Sequence, residues 1–168
     1  MGTNLLLCQI ESPIGPITLA LEADAIVICE FSDREERVAK QLRRYYSGAT
    51  IVKGQTPENI KEAFQSYFDG NNEAFDSLEA RPVGTDFERS VWHTLKEVSV
   101  GTTASYGDIA RRLGSSPRAV GRANGNNPVC LIYPCHRVIG ADGSLTGYAG
   151  GLDRKEWLLK HEGALLPL

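Results

Sequence analysis

The chain of 168 residues lacks the features of a membrane-spanning, secreted or disulfide-rich protein. No apolar run approaches the roughly 20 residues that a membrane span needs, and the opening Met1-Gly2-Thr3-Asn4 lacks the basic start of a secretory signal. Only four cysteines are present, with no C-x-x-C pair and no His-x-x-x-His pattern, so neither a disulfide framework nor a zinc site is indicated. We therefore expect a folded, cytoplasmic protein without a metal site.

Charge is distributed unevenly along the chain, although the net charge is only −3. Residues 1–80 hold 7 Lys and Arg against 13 Asp and Glu, a balance of −6, whereas residues 81–168 hold 11 against 8, a balance of +3. Between residues 105 and 137 the only acid is Asp108, against five arginines. A polyanion would bind there. The alternative is an ordinary solvated helix face.

The first half of the chain alternates between strand and helix patterns. Apolar runs at residues 5–10, 17–21 and 26–31, with a shorter run near Ile51, predict strands. Apolar stripes at helical spacing in residues 38–45 and 60–67 predict two helices, the first of which packs on the sheet. We expect an α/β domain with a small antiparallel sheet over residues 1–80, followed by a linker at residues 79–84.

The second half predicts a mostly α-helical domain over residues 81–168. Thr85 and Ser105 are placed to cap two helices, and Gly114 ends the second of them. Pro117 then starts a third helix at once. Two short helices joined by residues 114–116 predict a (winged) helix-turn-helix, an arrangement that many DNA-binding proteins use.

The second helix of this pair carries the small residues Ala119, Gly121 and Ala123. A glycine inside a helix costs about 1 kcal/mol relative to alanine, so a slim helix face indicates that something approaches it closely. DNA and close packing within the protein explain the slim face equally well.

The segment Pro134-Cys135-His136-Arg137-Val138 places a potential nucleophile beside a potential base within an apolar run. A thiol attacks only as the thiolate, and His136 and Arg137 could supply the base and the positive charge that favour it. Glu162 follows a helix predicted for residues 153–161, where a carboxylate opposes the helix dipole unless a cation or a histidine N–H compensates. The alternatives are a buried structural cysteine and an exposed, unimportant glutamate.

With its flanks, this segment resembles the active-site signature of the O6-alkylguanine-DNA alkyltransferases, also called methylated-DNA–protein-cysteine methyltransferases. The resemblance is strong over residues 85–163 and weak over the first 80. It implies a ribonuclease H-like fold for the first domain and DNA repair by direct reversal of damage. The matching segments are Arg118-Ala119-Val120-Gly121, Ala123-Asn124-Gly125, Asn127-Pro128, residues 132–140 (IYPCHRVIG), residues 147–151 (GYAGG), residues 155–159 (KEWLL) and His161-Glu162-Gly163.

The resemblance implies a role for each matching residue. Cys135 would take the alkyl group irreversibly from O6-alkylguanine, or from O4-alkylthymine, in a nucleotide flipped out of the duplex. His136 would take the thiol proton and Glu162 would orient His136. Asn127 would brace the active-site segment, and Tyr106 would displace the target phosphate and donate a hydrogen bond to the departing guanine. The DNA contacts would come from Arg118, which fills the gap left by the flipped nucleotide, and from Ala119, Gly121, Arg122, Ala123 and Arg137, and the base pocket from Val138, Tyr148, Ala149 and Gly150.

The expected partner is double-stranded DNA bound through its minor groove, with no cofactor, and the protein without DNA is expected to be a monomer. Two rival functions are a non-catalytic damage sensor or regulator, and a Cys-His-Glu hydrolase. Sensors of that kind lack the cysteine, so Cys135 argues against the first. The arginines and small residues of the helix-turn-helix would have no purpose in the second.

Overall fold

The chain divides after Val83 into two compact units, just past the boundary predicted at residue 80. The structure is a computed structural model that describes residues 2–164. Within this range every helix is too short or too polar to span a membrane.

The first unit is built on a four-stranded sheet with strand order β3-β2-β1-β4. The strands are β1 (Asn4–Ile10), β2 (Ile17–Glu22), β3 (Ala25–Phe31) and β4 (Thr50–Lys53). β1 and β2 pair antiparallel with Ile10 opposite Ile17, and β2 and β3 pair antiparallel with Ile17 opposite Phe31. The prediction of an antiparallel sheet is wrong for the fourth strand, because β4 pairs with β1 in parallel. A helix between β3 and β4 carries the chain back to the same end of the sheet, as parallel pairing requires.

That connecting helix, α1 (Glu35–Tyr45), and a second helix, α2 (Glu58–Phe68), carry the apolar stripes read from the sequence. Val38 of α1 packs with Leu5, Ala20, Val27 and Ile28 of the sheet. On α2, Phe64 and Tyr67 are 1% exposed and their rings contact Phe75. Burial of such side chains contributes about 1.5–3 kcal/mol each, so α1 stabilises the sheet and α2 stabilises the turn that carries Phe75.

The second unit is mainly helical, and its helix ends are marked by local sequence signals. Its helices are α3 (Asp86–Leu95), α4 (Tyr106–Leu113), α5 (Pro117–Gly125) and α6 (Leu152–His161). Thr85 and Ser105 form capping boxes with Glu88 and Asp108, which confirms the predicted starts of α3 and α4. Gly114 ends α4 with φ +65°, a left-handed conformation that favours glycine. Residues 114–116 then lead directly into α5.

A long irregular segment between α5 and α6 carries the Cys-His motif. It contains a 3-10 turn at Cys135–Arg137, followed at once by the short strand β6 (Val138–Ile139). Strand β6 pairs in parallel with β5 (Ala104–Ser105), which leads into α4. This pairing brings Tyr106, the first residue of α4, to the same region as the cysteine turn.

Candidate active site

Cys135 begins the 3-10 turn and its backbone is held from both sides. Its N–H donates to the carbonyl of Tyr133 at 2.8 Å, and the N–H of Arg137 donates to the carbonyl of Pro134 at 3.0 Å. Cys135 is 3% exposed, and all four cysteines of the chain are buried free thiols. Burial alone therefore does not distinguish Cys135 from the other three cysteines, and its distinguishing feature is its neighbours.

Asn127 braces the segment that leads to Cys135. The residue is fully buried, its amide Nδ2 donates to the carbonyl of Tyr133 at 2.8 Å, and its Oδ1 accepts from the N–H of Val129 at 3.0 Å. Asn124 of α5 adds a second side-chain amide, which donates to the carbonyl of Cys135 at 3.3 Å. Helix α5 and the segment that follows it are therefore linked to the cysteine turn by buried side-chain amides.

His136 and Glu162 form a buried pair. Nε2 of His136 lies 2.9 Å from Oε2 of Glu162, and both side chains are inaccessible to solvent. Glu162 is the C-cap of α6, as predicted from its position after that helix. The other ring nitrogen of His136, Nδ1, is buried and has no hydrogen-bond partner among residues 2–164. An ionised carboxylate can only accept, so Nε2 carries the hydrogen and Nδ1 of the neutral ring carries the lone pair.

The protonation states of this pair follow from burial and contacts. Burial lowers the pKa of His136, and the hydrogen bond and the charge of Glu162 oppose that effect only in part. Burial by itself raises the pKa of Glu162, but the hydrogen bonds and charges of His136 and Arg137 outweigh it and hold the pKa well below its usual range. At neutral pH the pair is therefore a neutral imidazole and a carboxylate.

Arg137 lies inside the same network rather than on the surface. Its Nε donates to Oε1 of Glu162 at 2.8 Å, one terminal nitrogen donates to Oε2 at 3.0 Å, and the other donates to the carbonyl of Val98 at 2.7 Å. The side chain is 10% exposed. Three of the five guanidinium N–H groups of Arg137 donate to protein oxygens in this way, and its contact with DNA stays a prediction.

Helix α5 carries two exposed arginines. Arg118 and Arg122, four residues apart on one face of the helix, take part in no ion pair within the described range. By contrast, the exposed Arg111 and Arg112 of α4 pair with Asp108 and Glu97. Helix α5 therefore presents two uncompensated positive charges, which is what a phosphate backbone attracts.

The small residues of α5 fall on different faces of the helix. Ala119 and Gly121 are half-buried, and a Cβ added at Gly121 would lie 3.7 Å from the Tyr106 ring, an ordinary contact. Ala123 is 3% exposed and its carbonyl accepts from the indole N–H of Trp92 at 2.8 Å. The side chain of Ala123 therefore faces the interior of the unit, whereas Ala119 and Gly121 stay accessible in part, and the DNA contacts of all three stay predictions.

Comparison with known proteins assigns this geometry to a family. Residues 86–164 match the model of the 6-O-methylguanine DNA methyltransferase DNA-binding domain. The chain is 41% identical to a methylated-DNA--protein-cysteine methyltransferase of Shigella flexneri, over 94% of this chain and 95% of that protein. A Methanosarcina acetivorans protein of the same name is 42% identical over 92% and 96% of the two chains. The chain belongs to the methylated-DNA--protein-cysteine methyltransferase family.

The structure of this chain resembles a solved structure of a relative over most of the length of both. The crystal structure of Mycobacterium tuberculosis OGT in complex with DNA superposes with a TM-score of 0.79 at 39% identity. It covers 94% of this chain and 92% of its own. The match therefore includes both units, although the sequence motifs are confined to the second.

Of the residues predicted to line a base pocket, Val138 directly follows the Cys-His turn and Tyr148 lies beside His136. Val138 is fully buried directly after the turn, and Gly150 is buried, while Tyr148 and Ala149 are half-buried. The Tyr148 ring approaches the His136 ring edge-on, with the ring centroids 6.5 Å apart. Tyr106 donates its hydroxyl to the carbonyl of Thr146 at 3.2 Å, and burial raises its pKa. The structure thus brings both tyrosines to the segment that carries Cys135.

Lys155 contacts the segment that carries the site, and the sequence alone gave this residue no role. It is fully buried on α6, and its Nζ donates to the carbonyls of Val138, Thr146 and Gly147 at 2.5, 2.7 and 3.2 Å. Burial lowers its pKa to about 8, and a negative charge on Cys135 opposes that shift. The available signal was its position on the helix, since Leu158 and Leu159 at i+3 and i+4 are the buried apolar face of α6.

Proposed function

We propose that this protein repairs DNA by direct reversal, transferring the alkyl group of O6-alkylguanine, and of O4-alkylthymine, to the sulfur of Cys135. The observation that carries the proposal is the His136–Glu162 pair beside Cys135. The pair leaves the other ring nitrogen of His136, Nδ1, with a free lone pair, and His136 directly follows Cys135 in the sequence. The chain also belongs to the methyltransferase family.

The reaction follows from the hydrogen-bond directions of this pair. Nε2–H donates to Glu162, so Nδ1 accepts the thiol proton, by way of a water molecule, and Cys135 becomes a thiolate. The sulfur attacks the alkyl carbon, the S–C bond forms as the C–O bond breaks, and guanine leaves as an anion that takes up a proton. Glu162 stabilises the imidazolium formed meanwhile. Tyr106 donates to the departing guanine once its hydroxyl exchanges the Thr146 carbonyl for the base.

DNA binding falls to the two short helices and the turn between them. Helices α4 and α5 would act as a helix-turn-helix, with β5 and β6 in the place of a wing and α5 in the minor groove. The exposed Arg118 would enter the space of the flipped nucleotide, with Arg122, Ala119 and Gly121 beside it. Extrusion costs a few kcal/mol, less for a mispaired alkylated base, which favours damaged sites.

The N-terminal unit would be a separate ribonuclease H-like domain. Its strand order β3-β2-β1-β4, in which β2 runs opposite to the other three strands, and the α1 connection between β3 and β4 support this fold. No step of the reaction is assigned to it.

Each molecule would act once. The product is a thioether, which is a poor leaving group in water, and within the described residues the carboxylate of Glu162 is already held by His136 and Arg137 rather than placed to activate a second water. Product should therefore rise to one equivalent of protein and stop.

The deciding experiment is to incubate the protein with a duplex oligonucleotide that contains O6-methylguanine and to map the added methyl group by peptide mass. We expect one methyl on Cys135 and none on Cys130, the other buried cysteine of the same segment. Cys135→Ala should bind DNA without transfer, and Cys130→Ala should transfer normally. Turnover beyond one equivalent would favour the hydrolase, and DNA binding without any transfer in the wild type would favour the sensor.

A further inference from the structure

Glu162 is contacted by two side chains that can carry positive charge. His136 occupies Oε2, and Arg137 reaches both oxygens, Oε1 at 2.8 Å and Oε2 at 3.0 Å. The carboxylate side chain is inaccessible to solvent, so water does not screen it. A single buried carboxylate therefore compensates the fixed charge of an arginine and also contacts a titratable imidazole.

The fixed charge changes what the carboxylate does to the imidazole. A glutamate paired with histidine alone favours the imidazolium, because the opposite charge stabilises the protonated ring. With the arginine fork on the same carboxylate, the charges of Arg137 and Glu162 already cancel. A proton on His136 would therefore give the site a net positive charge. Within residues 2–164 the charged groups that act on His136 are Glu162, Arg137 and Lys155, the Tyr148 ring approaches it edge-on, and Cys135 precedes it in the chain. Of these, Arg137 and Lys155 oppose protonation and Glu162 favours it.

We propose that Arg137 is a positioning residue that balances the charge of Glu162 and so keeps the His136 imidazole neutral and able to accept the Cys135 proton. The inference rests on the proposed alkyl transfer for its kinetic consequence only. The arginine fork also fixes the carboxylate plane in the orientation that receives Nε2–H, so the lone pair stays on Nδ1.

A purely structural role for Arg137 is the competing explanation. Its second terminal nitrogen donates to the carbonyl of Val98, in the segment after α3, at 2.7 Å, so the side chain also ties the cysteine turn to another part of the unit. Loss of that tie would lower the rate at every pH. Loss of charge balance would instead shift the pH at which His136 titrates.

Arg137→Gln and Arg137→Lys separate the two explanations, because glutamine keeps hydrogen-bond donors without charge and lysine keeps the charge without the fork. The rate of transfer from a free O6-alkylated guanine base is measured between pH 5 and 9, and the titration of His136 is followed by NMR of its ring. For Arg137→Gln we expect the His136 titration and the acidic limb of the rate profile to move up by about one pH unit. That shift is a loss of about tenfold in rate on the acidic limb, recovered at higher pH. Arg137→Lys should shift them by less than half as much.

Control variants give effects of opposite sign or none. Glu162→Gln should move the His136 titration to lower pH, and the double variant Arg137→Gln/Glu162→Gln should lie between the two single variants. Arg112→Gln removes an arginine that pairs with Glu97 at the surface and should leave the titration unchanged.

The NMR titration decides the inference even if no alkyl transfer occurs, in which case only the proposed function is overturned. A His136 titration in Arg137→Gln that matches the wild type, whether the rate falls uniformly or stays the same, would overturn the charge-balance role. If Arg137→Gln does not fold, Arg137→Lys with a shift above one unit would also overturn it, because the charge is still present.

Discussion

Replacing Lys155 with methionine isolates the energetic cost of a buried ammonium in this unit. The lysine is fully buried on α6, and its Nζ ties together three backbone carbonyls of residues 138–147. Methionine has a similar length and no charge. At pH 7 two effects of the substitution oppose each other, because three carbonyls lose a charged donor while a buried charge disappears. The dependence of the difference on pH is therefore more informative than its size at one pH.

The magnitude follows from the pKa of Lys155, which burial lowers from 10.5 to about 8. Between these two values the unfolded chain binds the proton and the folded chain does not, so wild-type stability rises with pH in this window. Below pH 8 the ammonium is present in both states and the contribution is constant. The full difference is worth about 3 kcal/mol, of which about 2 kcal/mol is gained between pH 7 and pH 9.5.

The assay is urea unfolding of the wild type and Lys155→Met at pH 7 and pH 9.5. Both tryptophans, Trp92 of α3 and Trp157 of α6, lie in the second unit, so their fluorescence reports this unit. We expect the unfolding free energy of the wild type relative to the variant to rise by about 2 kcal/mol over this range. Lys160→Met, on the same helix but with a side chain that is 66% exposed, should show no such change. A difference that is independent of pH would refute the buried-ammonium reasoning.

Three further predictions concern the DNA surface, the brace and the helix turn. Arg118→Ala should slow repair of duplex DNA about tenfold more than reaction with a free alkylated base, because only the duplex requires extrusion. The control Arg111→Ala, which replaces an ion-paired surface arginine, should affect neither rate. Equal slowing by Arg118→Ala on both substrates would contradict this. Asn127→Ala should lower the unfolding free energy by about 2–4 kcal/mol in urea, since it removes two buried hydrogen bonds, and a loss under 1 kcal/mol would speak against the brace. Gly114→Ala should destabilise the protein by about 1 kcal/mol through its positive φ, although nothing lies within 4 Å of the added Cβ. Gly125→Ala is equally open but has no positive φ, so it should not destabilise the protein. A thermal scan compares the two variants.

Local sequence signals predicted much of the second unit and the centre of its site. The capping boxes at Thr85 and Ser105, and Gly114 with Pro117, place α3, α4 and α5, because caps and helical periodicity depend on residues three or four apart. Cys135 and His136 were predicted as nucleophile and base because they are adjacent in the sequence. The resemblance pointed to Glu162, and its position at a helix end, where a carboxylate needs compensation, supported that prediction.

Only the tertiary structure decided which charges are buried and what they contact. Arg137 differs from the exposed Arg118 and Arg122 only through its contacts with Glu162, 25 residues away, and Val98, 39 residues away. Lys155 became part of the site through carbonyls 8 to 17 residues away, in a segment without regular periodicity. Likewise, the burial of Ala123 and the parallel pairing of β4 depend on which elements pack together. Contacts between distant residues leave no periodic trace in the sequence, so the charge balance around His136 is a property of the folded chain.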